Sequence, residues 1–234
     1  MREHRVDGVI ICSGLFSPEQ SREFSKYGIP IVVVNNQAAE DYRYSIYHDD
    51  IDGSRQVTRH LVDLGHRRIA YLGNATAGRT NIDRLGGYEQ ELADHHLPVL
   101  PGYTFDVPDS RLENGLEGAS YFLSLRQRPT AIVCYNDLLA TGVLKGLERA
   151  SVSVPGEISV TGFDNITFSA FTRPALTTFD QPKRFIGAEA ARLVIKLIGS
   201  HKEDNKSGEH VVLTLKGRLL VRQSTATVQT PEES

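Results

Sequence analysis

The sequence predicts an α/β fold with parallel sheets covered by helices on both faces. Short runs rich in Val and Ile alternate with amphipathic helical stretches along the whole chain, the pattern of repeated βα units. Residues 6–12 and 29–34 are apolar at nearly every position, as strands packed on both faces are. Three later strands run into small polar clusters: Cys134-Tyr135-Asn136-Asp137, Gly162-Phe163-Asp164-Asn165 and Phe179-Asp180-Gln181. Ligands of open α/β sheets bind just outside the carboxyl ends of the strands.

The elements follow in order. After the strand at 6–12, Ser17-Pro18-Glu19-Gln20 opens a helix: Ser17 caps, Pro18 suits the first turn and Gln20 completes a capping box. Gly28 ends it, as a left-handed residue does. A strand at 29–34 and a shorter one at Tyr44–His48 precede a helix at 50–64, where Val57, Leu61 and Leu64 share a stripe and Gly65 stops it. A fresh series begins with a strand at 68–72, a helix at 81–95 and a short strand at 103–105. A helix within 110–127, a strand at 131–135 and a helix at 137–149 come next, then strands at 158–161 and 176–179. The clearest helix spans 182–198, with Ile186, Ala190, Leu193, Val194 and Leu197 on one stripe. Val211–Leu215 and 218–221 read as a hairpin or paired strands, and 201–209 and 225–234 read as polar, mobile segments.

Composition narrows the function. The 234 residues, 40% apolar and 24% charged, suit an ordinary globular chain, and a net charge of -3 argues against a nucleic-acid surface within it. No apolar run reaches the ~20 residues of a membrane span, and the N-terminus lacks the apolar core of a secretion signal. The two cysteines, Cys12 and Cys134, lie far apart within strand patterns and read as small buried hydrophobes of a reducing compartment. His66-Arg67-Arg68 reads as a solvated basic patch. Enzyme signatures such as G-x-S-x-G, the P-loop, G-x-G-x-x-G and H-E-x-x-H are missing, and no cofactor or metal is expected.

Seven segments, in order, resemble the effector-binding core of LacI/GalR-type bacterial transcription regulators. They are Val6-Asp7-Gly8-Val9-Ile10, Gly28-Ile29-Pro30-Ile31-Val32, the crossover from His60-Leu61-Val62 to Arg68-Ile69-Ala70, Arg84-Leu85-Gly86-Gly87-Tyr88, Asn136-Asp137 with Gly162-Phe163-Asp164, Leu176-Thr177-Thr178 and Leu220-Val221-Arg222-Gln223-Ser224-Thr225. The resemblance covers nearly the whole chain. It implies a periplasmic-binding-protein-like fold of type I: two Rossmann-like subdomains joined by three crossovers, with a small-molecule effector, most often a sugar, between them. The expected division is residues 1–66 with 182–204 in the N-terminal subdomain and 67–181 with 209–234 in the C-terminal one. The family's opening strand, helix and second strand have no counterpart before Met1, so the first subdomain is expected to be truncated at its N-terminus. The resemblance further implies a homodimer, through the 182–198 helix or the helix after Ser17, and operator DNA bound only through a head domain that this chain does not carry. It implies a cytoplasmic protein with no membrane partner. A periplasmic-type sugar-binding protein of a transport system shares the architecture and is the alternative.

The resemblance also nominates ligand-binding residues, each with a plainer role open to it. A carboxylate at Asp164 can accept from two adjacent hydroxyls, as sugar recognition requires, or serve the turn that Asp-Asn favours. Asn136 can cap the next helix or face the ligand; Asp137 reads as structural. Arg84 sits in the first turn of its helix, where a cation opposes the dipole. Its planar fork suits a hydroxyl pair or an anion, and a salt bridge to Glu89 is the simpler role. Asp52, within His48-Asp49-Asp50-Ile51-Asp52, is a pocket group or a helix cap; the spacing of a calcium loop is missing. Gly78 and Thr80 precede the Arg84 helix, Phe105 can offer an aromatic face to a sugar ring, and Gln181 follows a strand at a crossover. Loop packing is the alternative for these four.

Overall fold

The structure is a computed structural model and describes residues 6–12, 16–34, 42–200 and 210–228. The strands are β1 (Val9–Cys12), β2 (Ile31–Val34), β3 (Tyr44–His48), β4 (Ile69–Asn74), β5 (Thr104–Val107), β6 (Ala131–Cys134), β7 (Ser159–Phe163), β8 (Thr177–Asp180), β9 (Val211–Leu215) and β10 (Arg218–Leu220). The helices are α1 (Pro18–Ser25), α2 (Asp50–Asp63), α3 (Arg79–Asp94), α4 (Leu112–Ser124), α5 (Asp137–Arg149) and α6 (Lys183–Ser200). A 3-10 turn at Thr167–Ala170 lies between β7 and β8. Among the described residues no helix is long and apolar enough to cross a membrane.

The chain folds as two units, Met1–Asp49 with Pro182–Lys216, and Asp50–Gln181 with Gly217–Ser234. Among the described residues, the expected division put 50–66 in the first and 210–216 in the second. They belong the other way round, because α2 packs along α3 and β9 pairs with β3. For the same reason β9 and β10 form no hairpin. They join different sheets, β10 running antiparallel beside β8.

In the first unit four parallel strands lie in the order β1-β2-β3-β9. Ser17 caps α1 through the expected box, its hydroxyl accepting from the Gln20 N–H while the Gln20 side chain accepts from the Ser17 N–H. One face of the sheet packs Val32, Val34, Tyr44 and Ile46 against Ile186, Ala190 and Val194 of α6. The other buries Ile31, Val33 and Tyr42 with Phe16 and Phe24. β1 is not covered on both faces as its apolar run suggested. It lies at the end of the strand order with alternate residues outward, so Ile10 and Cys12 are exposed while Cys134 in β6 is buried.

In the second unit six strands lie in the order β10-β8-β7-β6-β4-β5. The period of two sends Ala70, Leu72, Ile132, Cys134 and Val160 to the α4/α5 side, and Ile69, Tyr71, Ala131, Val133 and Phe163 to the α2/α3 side. Both helix pairs touch closely at glycine. A Cβ on Gly142 would lie 2.2 Å from the Leu112 carbonyl oxygen, and one on Gly87 would lie 2.4 Å from that of Ile51. Buried Glu91 further ties α3 to α2, accepting from Arg59 Nε at 2.6 Å and pairing with Arg55 at 3.1 Å.

Two buried titratable groups hold loops of this unit. His66, expected at the surface, is buried; Nδ1 lies 3.0 Å from Thr130 Oγ1 and Nε2 3.1 Å from the Ala226 carbonyl. Residues 225–228, expected to be mobile, are held here: Thr225 meets His60, and the Val228 N–H donates to the Leu64 carbonyl. The segments 201–209 and 229–234 lie outside the described residues. Asp137 is also buried, accepting from the Thr178 hydroxyl at 2.5 Å and the Ile166 N–H at 2.8 Å.

Their pH dependences have opposite signs. Burial lowers the His66 pKa below its ordinary 6.5, so its contribution is present above that pH and is lost as pH falls through the lowered value. In thermal melts, the advantage of wild type over His66→Gln should shrink between about pH 7.5 and about pH 5. A constant gap would exclude the linkage. Burial pushes Asp137 up to about 6, only partly offset by its hydrogen bonds, so its contribution is present below 3.8 and is lost as pH rises through about 6. Against Asp137→Asn, wild type should lose stability across that window, by up to roughly 3 kcal/mol. Parallel pH curves for the two proteins would refute the shift.

Candidate functional site

The parallel strands of the second unit all deliver their carboxyl ends to one side. With β5 and β6 flanking β4, the strand order reverses between β4 and β6, the switch point at which open α/β sheets bind ligands. Gly78 and Thr80 follow β4, Tyr135 and Asn136 follow β6, Asp164 follows β7 and Gln181 follows β8.

Arg84 organises this end. It is 4% exposed, and each arm of its guanidinium has a different partner. Nε donates to Asp50 Oδ1 at 2.7 Å, one terminal nitrogen to the Tyr135 carbonyl at 2.7 Å, and the other reaches Asp164 Oδ1 at 3.4 Å. The plane lies over two rings, 3.7 Å from the Phe163 centroid and 4.5 Å from that of Tyr135. Burial works against the cation, but Asp50 and Asp164 outweigh it and hold Arg84 above the ordinary arginine value. The simpler role open to Arg84, a salt bridge to Glu89, gives way to these two aspartates. The Gly87 contact makes this possible, since it brings α3 close enough to α2 for Arg84 to reach Asp50.

Asp164 is partly exposed, and its Oδ1 accepts from Gln181 as well as from Arg84. Both Asp164 (φ 106°) and Asn165 (φ 48°) have positive φ, which turns the chain sharply off β7. Two such residues in succession cost about 1–3 kcal/mol each and persist only when their surroundings impose them.

The structure thus brings together three of the residues nominated from sequence, Arg84, Asp164 and Gln181. Asn136 is buried beside them and caps α5, accepting from the Leu139 N–H at 3.0 Å. Gly78 (φ 57°) precedes the first turn of α3, and Thr80 is half-buried within that turn. Asp52 accepts from Gln56 one turn further along α2, at 2.8 Å. Phe105 turns toward α4 and stacks on Tyr121 at 4.1 Å, packed against the core instead of offering its face beside Arg84. Asp50, Tyr135 and Phe163 were not nominated. The aromatics were visible in sequence as the rings that close strands β6 and β7; nothing local to Asp50 distinguished it from Asp52. Among the described residues no three His, Cys, Asp or Glu side chains are grouped to hold a metal ion.

Known proteins agree with this architecture. The periplasmic binding protein-like domain family matches residues 58–225. The HTH-type transcriptional repressor PurR of Photobacterium profundum is 30% identical over 225 residues, 96% of this chain and 66% of the relative. The arabinose metabolism transcriptional repressor of Geobacillus stearothermophilus is 36% identical over 200 residues, 84% of this chain and 54% of the relative. The chain therefore spans less than two thirds of the length of each. The crystal structure of a LacI family transcriptional regulator from Enterococcus faecium with bound ribose superposes with a TM-score of 0.82 at 27% identity, covering 96% of this chain and 81% of that one. The chain belongs to the periplasmic binding protein-like domain family, and its relatives in sequence are LacI-type repressors.

Proposed function

We propose that this chain is the effector-binding and dimerisation core of a LacI-type transcriptional regulator, with a neutral polyhydroxy compound, a sugar or close derivative, as effector. The Asp164 carboxylate carries the reading. It follows β7 at the ligand end of the sheet, partly exposed, aimed by Arg84 and Gln181 and set on a backbone turn that the fold must impose. An acceptor held in this way suits adjacent hydroxyls. The charge supports a neutral ligand: one buried guanidinium is shared between two carboxylates, so the cluster is net negative and works against phosphate esters and free carboxylates. Asn136, Thr80, Gly78 and Asp52 complete the proposed lining, and Arg84 acts chiefly by holding Asp164. The bound ribose of the Enterococcus faecium regulator supports a sugar, and D-ribose is the first compound to test.

The protein binds and does not catalyse in this reading. It acts in the cytoplasm as a homodimer and engages operator DNA only through a head domain beyond this chain. Binding at one site changes occupancy at the other by as much as the effector distinguishes the two states. The periplasmic transport reading shares the fold but has less support, because the curated relatives are repressors.

A thermal-shift screen of neutral sugars, sugar phosphates and purines tests the proposal. A neutral sugar at about 100 times its dissociation constant should add about 2.7 kcal/mol of stability, and its phosphate ester should add less. A stronger response to the ester would overturn the neutral-ligand assignment. By titration calorimetry Asp164→Ala should abolish binding in a folded protein, and Arg84→Ala should weaken it by about 1–3 kcal/mol. Full-strength binding by either variant removes that residue from the site.

A further inference from the structure

The turn that carries Asp164 is secured from several sides. The Ile166 N–H reaches Asp137, Asn165 Nδ2 donates to Asp180 Oδ1 at 2.8 Å, and the Asn165 N–H lies 3.3 Å from Thr178 Oγ1. A further hold comes from much later in the chain. Arg222, two residues beyond β10, sends one terminal nitrogen to Asn165 Oδ1 at 2.7 Å and the other to the Leu176 carbonyl at 2.6 Å, with Ser169 Oγ at 3.3 Å.

This fork is not needed to anchor its own segment. Ser224 Oγ donates to the Val160 carbonyl at 2.6 Å and accepts the Thr177 N–H at 2.8 Å. The Gln223 N–H donates to the Ala175 carbonyl at 2.9 Å, and β10 pairs with β8. With the segment already fixed, the two arms of Arg222 serve a different end. They hold a fixed distance between the Asp164–Asn165 turn and the residue entering β8. A planar guanidinium can span two acceptors in this way, whereas a lysine ammonium is a single point charge.

We propose that Arg222 is a positioning residue for the effector site: it keeps Asn165 in its left-handed conformation and so sets the direction of the Asp164 carboxylate. The inference rests on the reading of Asp164 as a ligand-binding group, and its route to Asp164 runs through Asn165.

The test compares wild type with Arg222→Ala, Arg222→Lys, Asn165→Ala and the Arg222→Ala/Asn165→Ala double variant. One readout is amide hydrogen exchange at Asn165 and Ile166, with Val160 in β7 as the internal reference. The other is calorimetric titration with D-ribose. Arg222→Ala should speed exchange at Ile166 and weaken D-ribose binding by about tenfold or more, as loss of a charged hydrogen bond does, and leave Val160 unchanged. Arg222→Lys should restore little of either, and the double variant should be no worse than Asn165→Ala alone. Unchanged exchange at Ile166 in Arg222→Ala overturns the proposal. So does acceleration spread equally to Val160, or a double variant that sums its two parents. If wild type fails to bind D-ribose, ribose is removed as the effector, while the exchange pattern alone still decides the role of Arg222.

Discussion

A buried cation is the constraint on which the site depends. Arg84 lies almost wholly out of solvent, where an unpaired guanidinium is prohibitively unfavourable. Its three hydrogen-bonding directions and two aromatic faces are met from α2, from the turn after β6 and from β7 with the turn that follows it. Each of those segments is thereby located relative to the others. The constraint passes back to packing: Arg84 meets Asp50 only because α2 and α3 touch at Gly87, and the Glu91 cluster fastens the same two helices further along. A side chain at Gly87 would act on the site without being near a ligand.

The polar groups at this end of the sheet bond one another. Asp164 Oδ1 is shared by Arg84 and Gln181, Asn136 caps α5, and Asp137 serves the Thr178 hydroxyl and the Ile166 N–H. If, as proposed, a ligand binds here, it would meet directions that these bonds already set, and little ordering would oppose binding. In the proposed reading, selectivity would come from the penalty on ligands that leave an acceptor unmatched or bring another negative charge.

Much of the fold was legible because strand and helix periods are local. Tyr44–His48 and Asp137–Arg149 lie where the pattern put them, and the α6 stripe of Ile186, Ala190 and Val194 packs on its sheet. Pairing was not legible: β9 and β10 are adjacent in sequence but belong to different sheets, and no local pattern records which edge a strand meets. Burial failed where neighbours decide it. Cys12 has the apolar context of Cys134 but lies on an end strand, and His66 sits in a basic run yet fills a polar slot between Thr130, Ser159 and Ala226. At the site, Asp164 and Gln181 could be nominated because strand ends mark them, and Arg84 through the family resemblance and its place early in a helix. Asp50 and Arg222 could not, because their roles come from helix approach and from a partner more than fifty residues away.

The second unit is discontinuous, and this bears on how it is made. β10, Arg222 and Ser224 are synthesised after the whole of the Pro182–Lys216 segment, which belongs to the first unit. Domains tend to fold as units while the chain emerges. The stretch from Asp50 to Gln181 is therefore made with the outer edge of β8 unpaired, Thr177 without Ser224 and Asn165 without its guanidinium. The described strands of the first unit are made earlier, and residues 217–228 of the second follow them. The turn that carries Asp164 is thus closed by a residue made after the last of the described strands, and a chain that stopped at Val221 would retain each of those strands while lacking that closure.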